Sequence, residues 1–154
     1  MAGMKVALVM GSKSDAELAQ KAEATLKEFN IDFETFVISA HRNPLKIKKF
    51  SKSLEENGFG LVIALAGLAA HLPGVVASMT VLPVIGVPVE AGPMHGQDAL
   101  YSIVQMPPGI PVATVGIGGA KNAALLAVQI LSVHSVKLRD AMKAYRKQFG
   151  DDLD

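Results

Sequence analysis

The sequence contains no cysteine and no tryptophan, and only 5% of its 154 residues are aromatic. The lack of cysteine excludes disulfide bonds, thiol nucleophiles and thiolate metal sites. Four histidines are dispersed along the chain, and none of them stands in a metal-ligand spacing such as HExxH. We therefore expect a protein without a metal centre.

An excess of charge of either sign is also missing, since 15 Lys and Arg residues are balanced by 14 Asp and Glu residues. This balance provides no basic surface for nucleic acid or for an anionic membrane, so neither is an expected partner. Near the N-terminus, the acidic residues Asp15 and Glu17 soon follow a short apolar run, a pattern that differs from a secretory signal peptide. The sequence predicts a cytoplasmic protein.

Charge is scarcest in the middle of the chain, where only Glu90 and Asp98 carry it between Leu61 and Ala120. Three prolines interrupt the charge-free segment Leu61–Val89, so no piece of it reaches the ~20 apolar residues of a membrane-spanning helix. A lone chain of this size would leave part of this apolar sequence exposed, and such patches generally mark association surfaces. A tight homo-oligomer is therefore expected.

What the chain does contain is an alternation of strand and helix patterns with short connections. The predicted strands are Lys5–Met10, Phe33–Ile38, Leu61–Ala66, the segment VLPVIGVPV at 81–89, and Pro111–Val115. The predicted helices are Asp15–Phe29, a helix from Pro44 that ends at Gly58, a short helix opened by AAHLPG, Asp98–Gln105, Asn122–Leu131 and a C-terminal helix at Val136–Phe149. This alternation predicts an α/β fold with a parallel, doubly wound sheet, and the length predicts a single domain over 1–154.

Two of the predicted helices have recognisable cap signals at their start. Ser14, with Glu17 three residues later, matches a capping box. Asn43 is a natural N-cap, and Pro44 suits the first helical position. Both signals follow directly on polar turns.

Ligands of doubly wound sheets bind beyond the carboxyl ends of the strands, and three polar turns fall there. The first is GSKSD at 11–15, where the hydroxyls of Ser12 and Ser14 and free backbone N–H groups can donate to phosphate oxygens. Asp15 can accept hydrogen bonds from sugar hydroxyls. The same residues could instead only cap the helix, and the sequence leaves both interpretations open. The glycine turn at 116–119 is a weaker phosphate candidate, because glycines at such a turn need no ligand to explain them.

The second turn, SAHRNP, places Ser39, His41 and Arg42 together between a buried strand and a capped helix. Arg42 offers a planar fork to a phosphate or carboxylate, and His41 can change charge near neutral pH. The third turn, AGLAAHLPG, places His71 after small residues that would let a ligand ring lie flat. For each of these side chains, a solvated or purely structural role is the alternative.

Six motifs together make the chain recognisable: VMGSKSD, SAHRNP, AAHLPG, GVPV, LYSIVQMP and NAALLA. In this order, from about Met4 to His134, they resemble the N5-carboxyaminoimidazole ribonucleotide mutases of purine biosynthesis, also described as phosphoribosylaminoimidazole carboxylase catalytic subunits. The resemblance implies a flavodoxin-like three-layer α/β/α sandwich and a homo-octamer with active sites at subunit contacts. It implies no metal or organic cofactor, and a functional link to the ATP-dependent enzyme that makes the substrate.

The mutases move a carboxyl group from the exocyclic nitrogen of N5-carboxyaminoimidazole ribonucleotide to a ring carbon, which gives 4-carboxy-5-aminoimidazole ribonucleotide. Carried over by motif position, His41 is implied as the catalytic acid/base. The residues implied to bind the ribonucleotide substrate are Ser12, Ser14, Asp15, Ser39, Arg42, Gly67, Ala70, His71 and Leu72.

The chain also departs from the mutase pattern. Leu65 and Leu68 stand where that pattern usually has glycine, and the turn GIGGAKNAALLA is shorter than usual. The short turn resembles the related carboxylases, which use aminoimidazole ribonucleotide and free carbon dioxide, but those commonly have Ser-Asn where this chain has Ala70 and His71. The mutase is the favoured hypothesis. A direct carboxylase, a noncatalytic nucleotide-binding module and a mainly structural oligomer remain as alternatives.

Overall fold

The computed structural model describes residues 4–150, which form one five-stranded sheet with helices on both sides; the ends of the expected 1–154 domain lie outside this range. The strands are β1 Lys5–Met10, β2 Phe33–Val37, β3 Phe59–Gly67, β4 Val84–Val89 and β5 Ala113–Thr114. The helices are α1 Ala16–Glu28, α2 Pro44–Ser53, α3 Leu72–Ala77, α4 Gln97–Val104, α5 Ala120–Ser132 and α6 Val136–Arg146. Short 3-10 turns occupy Lys13–Asp15 and Lys147–Phe149.

All neighbouring strands pair in parallel, in the order β2-β1-β3-β4-β5. This order confirms the predicted doubly wound α/β fold of the flavodoxin-like type. The winding reverses between β1 and β3, which makes their carboxyl ends the switch point of the sheet. Met10 pairs with both Val37 of β2 and Leu65 of β3, so β1 and β2 end at one level, and β3 runs two residues further before its polar turn begins.

Alternate residues of the strands face two separate layers of helices. In β1, Val6 and Leu8 pack in the layer that contains α1 and α5, whereas Ala7 and Val9 pack in the layer of α2, α3 and α4. Both faces of the sheet are covered, so β3 is buried from Phe59 to Ala66 and has no polar alternation. None of the helices in the described range is long and apolar enough to cross a bilayer.

Every strand except β1 differs from its predicted bounds: β2 ends at Val37, β3 runs from Phe59 to Gly67, and β4 and β5 are shortened. The β4 strand begins at Val84 rather than at Val81, because Pro83 has no N–H to donate and the Leu82 N–H donates to Thr80 Oγ1 at 3.2 Å in a turn. The β5 strand shrinks to Ala113–Thr114, since it lies at the edge of the sheet and pairs only with β4. The changes at β4 and β5 do not affect the carboxyl ends of β1, β2 and β3, where the three polar turns begin.

The predicted capping box at α1 is wrong. Asp15 occupies the N-cap position without a side-chain cap bond, while Ser12 Oγ accepts a hydrogen bond from the Ser14 N–H at 3.3 Å. The reason is an additional 3-10 turn over Lys13–Asp15, which moves the start of the helix past Ser14. At α2, Asn43 is the N-cap and Pro44 the first helical residue, as predicted, although Asn43 makes no side-chain cap bond.

Candidate active site

A cleft of about 510 Å³ opens at the carboxyl edge of the sheet, over the ends of β1, β2 and β3. It occupies the switch point of the strand order, where ligands of such sheets bind. Residues from four connections line it: Gly11, Ser12, Ser14 and Asp15 after β1; Ser39, Ala40, His41 and Arg42 after β2; Ala66, Gly67, Leu68, Ala69, His71 and Leu72 at the end of β3 and beyond it; and Ala91 after β4.

Nearly all of the residues that the sequence suggested for binding or catalysis line this cleft. Ala70 does not, because its side chain is only 1% exposed and packs in the core with Leu72 and Val76. The cleft also includes Ala40 and Ala91, which sequence reasoning missed. An alanine side chain has no polar or ionisable group that would mark it as a site residue in the sequence. Its place in the cleft could be predicted only once the order of the strands was known.

The two histidines of the cleft contact each other directly. His41 Nε2 lies 2.7 Å from His71 Nδ1, and the ring planes meet at 80°. At this distance one nitrogen donates and the other accepts, so a single proton lies between the two rings. His41 follows β2 and His71 is the N-cap of α3, so the contact spans the end of β1, which lies between β2 and β3.

Arg42 is held against two of the strand ends. Its backbone N–H donates to Ser39 Oγ at 3.2 Å, and its Nη2 donates to the Gly11 carbonyl oxygen at 3.5 Å. These contacts hold the guanidinium group beside the turn that carries Ser12 and Ser14. Donors from one arginine and two hydroxyls suit a phosphate group.

Asp15 is the buried carboxylate of the site, with 9% of its surface exposed. Burial raises the pKa of Asp15 above its ordinary value of 3.8. Hydrogen bonds to the Ser14 side chain and to the Ser12 backbone lower the pKa, but they offset only part of the effect of burial. Ser14 Oγ lies 3.1 Å from Asp15 Oδ1 and 2.9 Å from Ser12 Oγ. The three side chains therefore form one polar cluster of donors and acceptors.

The character of the lining changes along the edge of the sheet. The turns after β2 and β1 supply charged and hydroxyl side chains, whereas the ends of β3 and β4 supply mainly Ala66, Gly67, Leu68, Ala69 and Ala91. A ligand with an anionic end and a flat, less polar end matches this gradient.

The other two histidines and the glycine turn lie elsewhere. His95 and His134 are exposed and do not line the cleft, and His95 Nδ1 lies 3.6 Å from Glu90 Oε1. The glycine turn at 116–119 does not line it either. Between residues 4 and 150, no group of three or more His, Asp or Glu side chains is arranged to hold a metal ion.

Comparison with known proteins gives consistent matches. Residues 5–152 match the family model described as AIR carboxylase. The chain is 52% identical over 143 residues to the N5-carboxyaminoimidazole ribonucleotide mutase of Pyrococcus abyssi, which covers 93% of this chain and 82% of that protein. It is 50% identical over 151 residues to the mutase of the same name from Escherichia coli K12, covering 97% and 89% of the two chains. The fold is similar to the crystal structure of Treponema denticola PurE, with a TM-score of 0.86, 33% identity and coverage of 94% and 90%.

Proposed function

We propose, because the chain belongs to the AIR carboxylase family, that it is an N5-carboxyaminoimidazole ribonucleotide mutase, an isomerase of purine biosynthesis. The observation that carries this proposal is the His41–His71 contact of 2.7 Å in the same cleft as Arg42 and the serine cluster. The cleft combines an anion-binding end, a proton-transferring group and an apolar wall. A carboxyl shift on a ribonucleotide requires all three.

In this proposal the substrate phosphate and ribose occupy the polar end of the cleft. Arg42 and Ser12 bind the phosphate, and Ser14 and Ser39 assist by donating hydrogen bonds or by holding Arg42. Asp15 accepts hydrogen bonds from the ribose hydroxyls. This end lies away from the reacting bonds, so it supplies binding energy that orients the base.

The base then lies against Gly67, His71 and Leu72, where the carboxyl group moves. The bond between the exocyclic nitrogen and its carboxyl carbon breaks, which releases carbon dioxide, and His41 supplies the proton that the nitrogen takes up. The electron-rich ring carbon attacks the carbon dioxide, and its proton leaves to His41. One imidazole thus acts as acid and then as base, and the sequence of steps needs no oxidant, reductant or energy source.

His71 has a positioning role in this proposal. Its Nδ1 contacts His41 Nε2, so it fixes the ring orientation and the tautomer of the catalytic imidazole. Without this contact, His41 would rotate in a turn that is exposed.

We further propose that the chain is one catalytic domain and assembles as a homo-octamer. Tyr101 and Val104 of α4 are 59% and 49% exposed, and they belong to the charge-poor middle of the sequence. Large exposed apolar side chains on one short helix support a subunit contact there. The number eight rests on the resemblance of the sequence alone.

The chemistry of the substrate supports a place of action for the protein and a source for the substrate. A phosphorylated ribonucleotide does not cross a bilayer, which supports action in the cytoplasm. A carbamate readily loses carbon dioxide, so it has to be made close to where it is used. This supports a functional link to the ATP-dependent enzyme that makes it.

The proposed activity is tested by offering the purified protein two alternative substrates. We expect efficient conversion of N5-carboxyaminoimidazole ribonucleotide and poor conversion of aminoimidazole ribonucleotide with bicarbonate, both followed as formation of the 4-carboxy product. His41→Asn should lower kcat by about 10²- to 10⁴-fold with ligand binding retained. His95→Asn, at an exposed histidine outside the cleft, is the matched control. Efficient turnover of the second substrate alone would identify a direct carboxylase, and an unchanged kcat in His41→Asn would contradict the mechanism.

A further inference from the structure

The exposed charges of helix α2 are all positive. From Arg42 to Ser53 the chain has five basic residues and no acidic one, although the whole chain is nearly balanced, with 15 basic and 14 acidic residues. Four of the five are lysines of α2, and all four side chains are exposed: Lys46, Lys48, Lys49 and Lys52. Positive charge is therefore concentrated on one face of one helix.

These lysines do not favour the helix that carries them. The N-terminus of a helix has a partial positive charge and is stabilised by acidic residues in the first turn, but α2 has none there and has Lys46 instead. Lys46 and Lys49, and likewise Lys48 and Lys52, are neighbours on the helix surface and repel each other. Within residues 4–150, no carboxylate forms an ion pair with any of the four. The lysines of α2 therefore call for a role other than folding.

The N-terminal end of α2 adjoins the cleft. Arg42, which lines the cleft, is followed directly by the N-cap residue Asn43 and then by the helix. At a rise of about 1.5 Å per residue, the backbones of Lys46 and Lys49 lie within about 8 Å of the helix start along its axis. This is shorter than the distance of about 10 Å over which charges act at 0.1 M salt. Both ammonium groups can therefore attract an anion that approaches the cleft.

The other connections around the cleft do not supply a positive charge of this kind. After β1, the exposed side chains of Lys13 and Glu17 offset each other, and Asp15 is an acid within the cleft itself. The loop after β4 begins with the exposed Glu90. The positive potential at the mouth of the cleft therefore comes from Arg42 and α2.

We propose that the lysines of α2 steer the anionic substrate electrostatically to the mouth of the cleft. This inference rests on the proposed mutase function, whose substrate carries both a phosphate and a carbamate and is strongly anionic. The lysines do not touch the bound substrate in this proposal. They raise the local concentration of the substrate and the rate of encounter, so they act on kcat/KM and leave kcat unchanged.

The proposal is tested with the double variant Lys46→Gln/Lys49→Gln, which removes two charges, and with Lys46→Glu, which reverses one. Lys21→Gln/Lys137→Gln is the matched control, because it removes the same charge from exposed lysines of α1 and α6 outside the cleft lining. Conversion of the carbamate is followed at one pH, with correction for its loss without enzyme, between about 0.01 M and about 1 M salt, where the Debye length falls from about 30 Å to about 3 Å. Thermal unfolding of each variant is measured in parallel.

We expect kcat/KM of the wild type and of the control to fall as the salt concentration rises. At low salt, kcat/KM of Lys46→Gln/Lys49→Gln should be about three- to tenfold below that of the wild type, and the difference should vanish at high salt. The value of kcat should be the same in all variants. Lys46→Glu should lower kcat/KM at low salt and yet raise the melting temperature, because an acidic residue suits the helix N-terminus. These opposite changes exclude a damaged fold as the cause.

Four results would overturn the proposal. An equal salt dependence of kcat/KM in the wild type and in Lys46→Gln/Lys49→Gln would remove the steering role of α2 and leave the mutase function intact. A loss of kcat/KM that persists at high salt would mean that these lysines contact the bound substrate directly. The same loss in the control would assign the effect to net charge. No turnover of the carbamate by the wild type would refute the proposed function itself, and this inference with it.

Discussion

His41 Nε2 and His71 Nδ1 lie 2.7 Å apart although 30 positions separate the two residues in the chain. The contact exists because β2 and β3 flank β1, so that the turns that follow them meet above the end of β1. Neither turn alone defines the pair. The sheet order does.

Replacing His71 by Phe should preserve the ring shape and remove the hydrogen bond to His41. We expect kcat to fall about tenfold, the worth of roughly one hydrogen bond, with KM changed much less. Steady-state kinetics over a pH series measure both quantities and the profile. His134→Phe is the control, because His134 is exposed and outside the cleft lining. An unaltered kcat and pH profile would show that His71 does not position His41.

Arg42→Lys should weaken substrate binding, because the planar fork is replaced by a single ammonium group. We expect KM to rise by about ten- to a hundredfold with a smaller change in kcat, since in the proposed binding mode the guanidinium contacts the non-reacting end of the substrate. Arg139→Lys provides the comparison: Arg139 lies on α6 and its Nη2 donates to the carbonyl oxygens of Ser132 and Val133. A KM equal in both variants would place the phosphate elsewhere.

Asp15 should make the stability of the protein depend on pH in a defined direction. Burial raises its pKa above 3.8 in the folded state, so the folded chain binds the proton more tightly than the unfolded chain. The free energy of unfolding of the wild type should therefore decrease, relative to Asp15→Asn, as pH rises from 3.8 through the raised pKa, and the difference should then level off. Urea unfolding at a series of pH values measures it.

Asp32→Asn controls for the change in net charge in this experiment, because Asp32 is exposed. If the free energy of unfolding of the wild type instead increases relative to Asp15→Asn as pH rises, the hydrogen bonds from Ser12 and Ser14 outweigh burial and the prediction is wrong.

Gly86 in β4 should not accept a larger side chain. A Cβ there would collide with Ile103 Cγ2 and lie 3.1 Å from Val112 Cγ1, so Gly86→Ala should lower the free energy of unfolding by about 1–3 kcal/mol. Gly116→Ala is the matched substitution, since a Cβ at that position meets no atom within 4 Å, and it should change the free energy by less than about 1 kcal/mol. Chemical denaturation gives both values, and equal effects would contradict the packing described at β4.

Val104→Lys should reduce the mass of the proposed oligomer, because it puts a charge on the exposed apolar surface of α4. Lys48→Glu, at an exposed residue of α2 that is already charged, should leave the mass unchanged. Light scattering or native mass spectrometry separates the two outcomes. Loss of assembly in both variants, or in neither, would argue against a subunit contact at α4.

The sequence predicted the layers of this fold well because its apolar runs have a direct physical cause. Strands such as β3 are covered on both faces, so they read as unbroken hydrophobic segments, and glycine and proline mark the turns between them. The bounds of β4 and β5 were predicted less well, since they depend on hydrogen-bond partners at Pro83 and at the sheet edge. The predicted N-cap at Ser14 was wrong because a 3-10 turn over Lys13–Asp15 precedes the helix and moves its start to Ala16.

Most of the cleft could be predicted from the rule that ligands bind at strand ends, together with the polar residues found there. The contact between His41 and His71 could not, because it depends on which strands are neighbours. The presence of Ala91 in the cleft could not be predicted for the same reason. Ala70 was assigned to the pocket because of its neighbours in the motif, whereas its own side chain packs in the core with Leu72 and Val76.

The strand order also divides the cleft between two stretches of chain. Residues up to 42 form the end suited to ribose and phosphate, whereas residues 66–91 form the end suited to carboxyl transfer. His41 lies in the first stretch and contacts His71 in the second, so replacing either stretch with that of a relative would have to preserve this contact for the two ends of the cleft to work together.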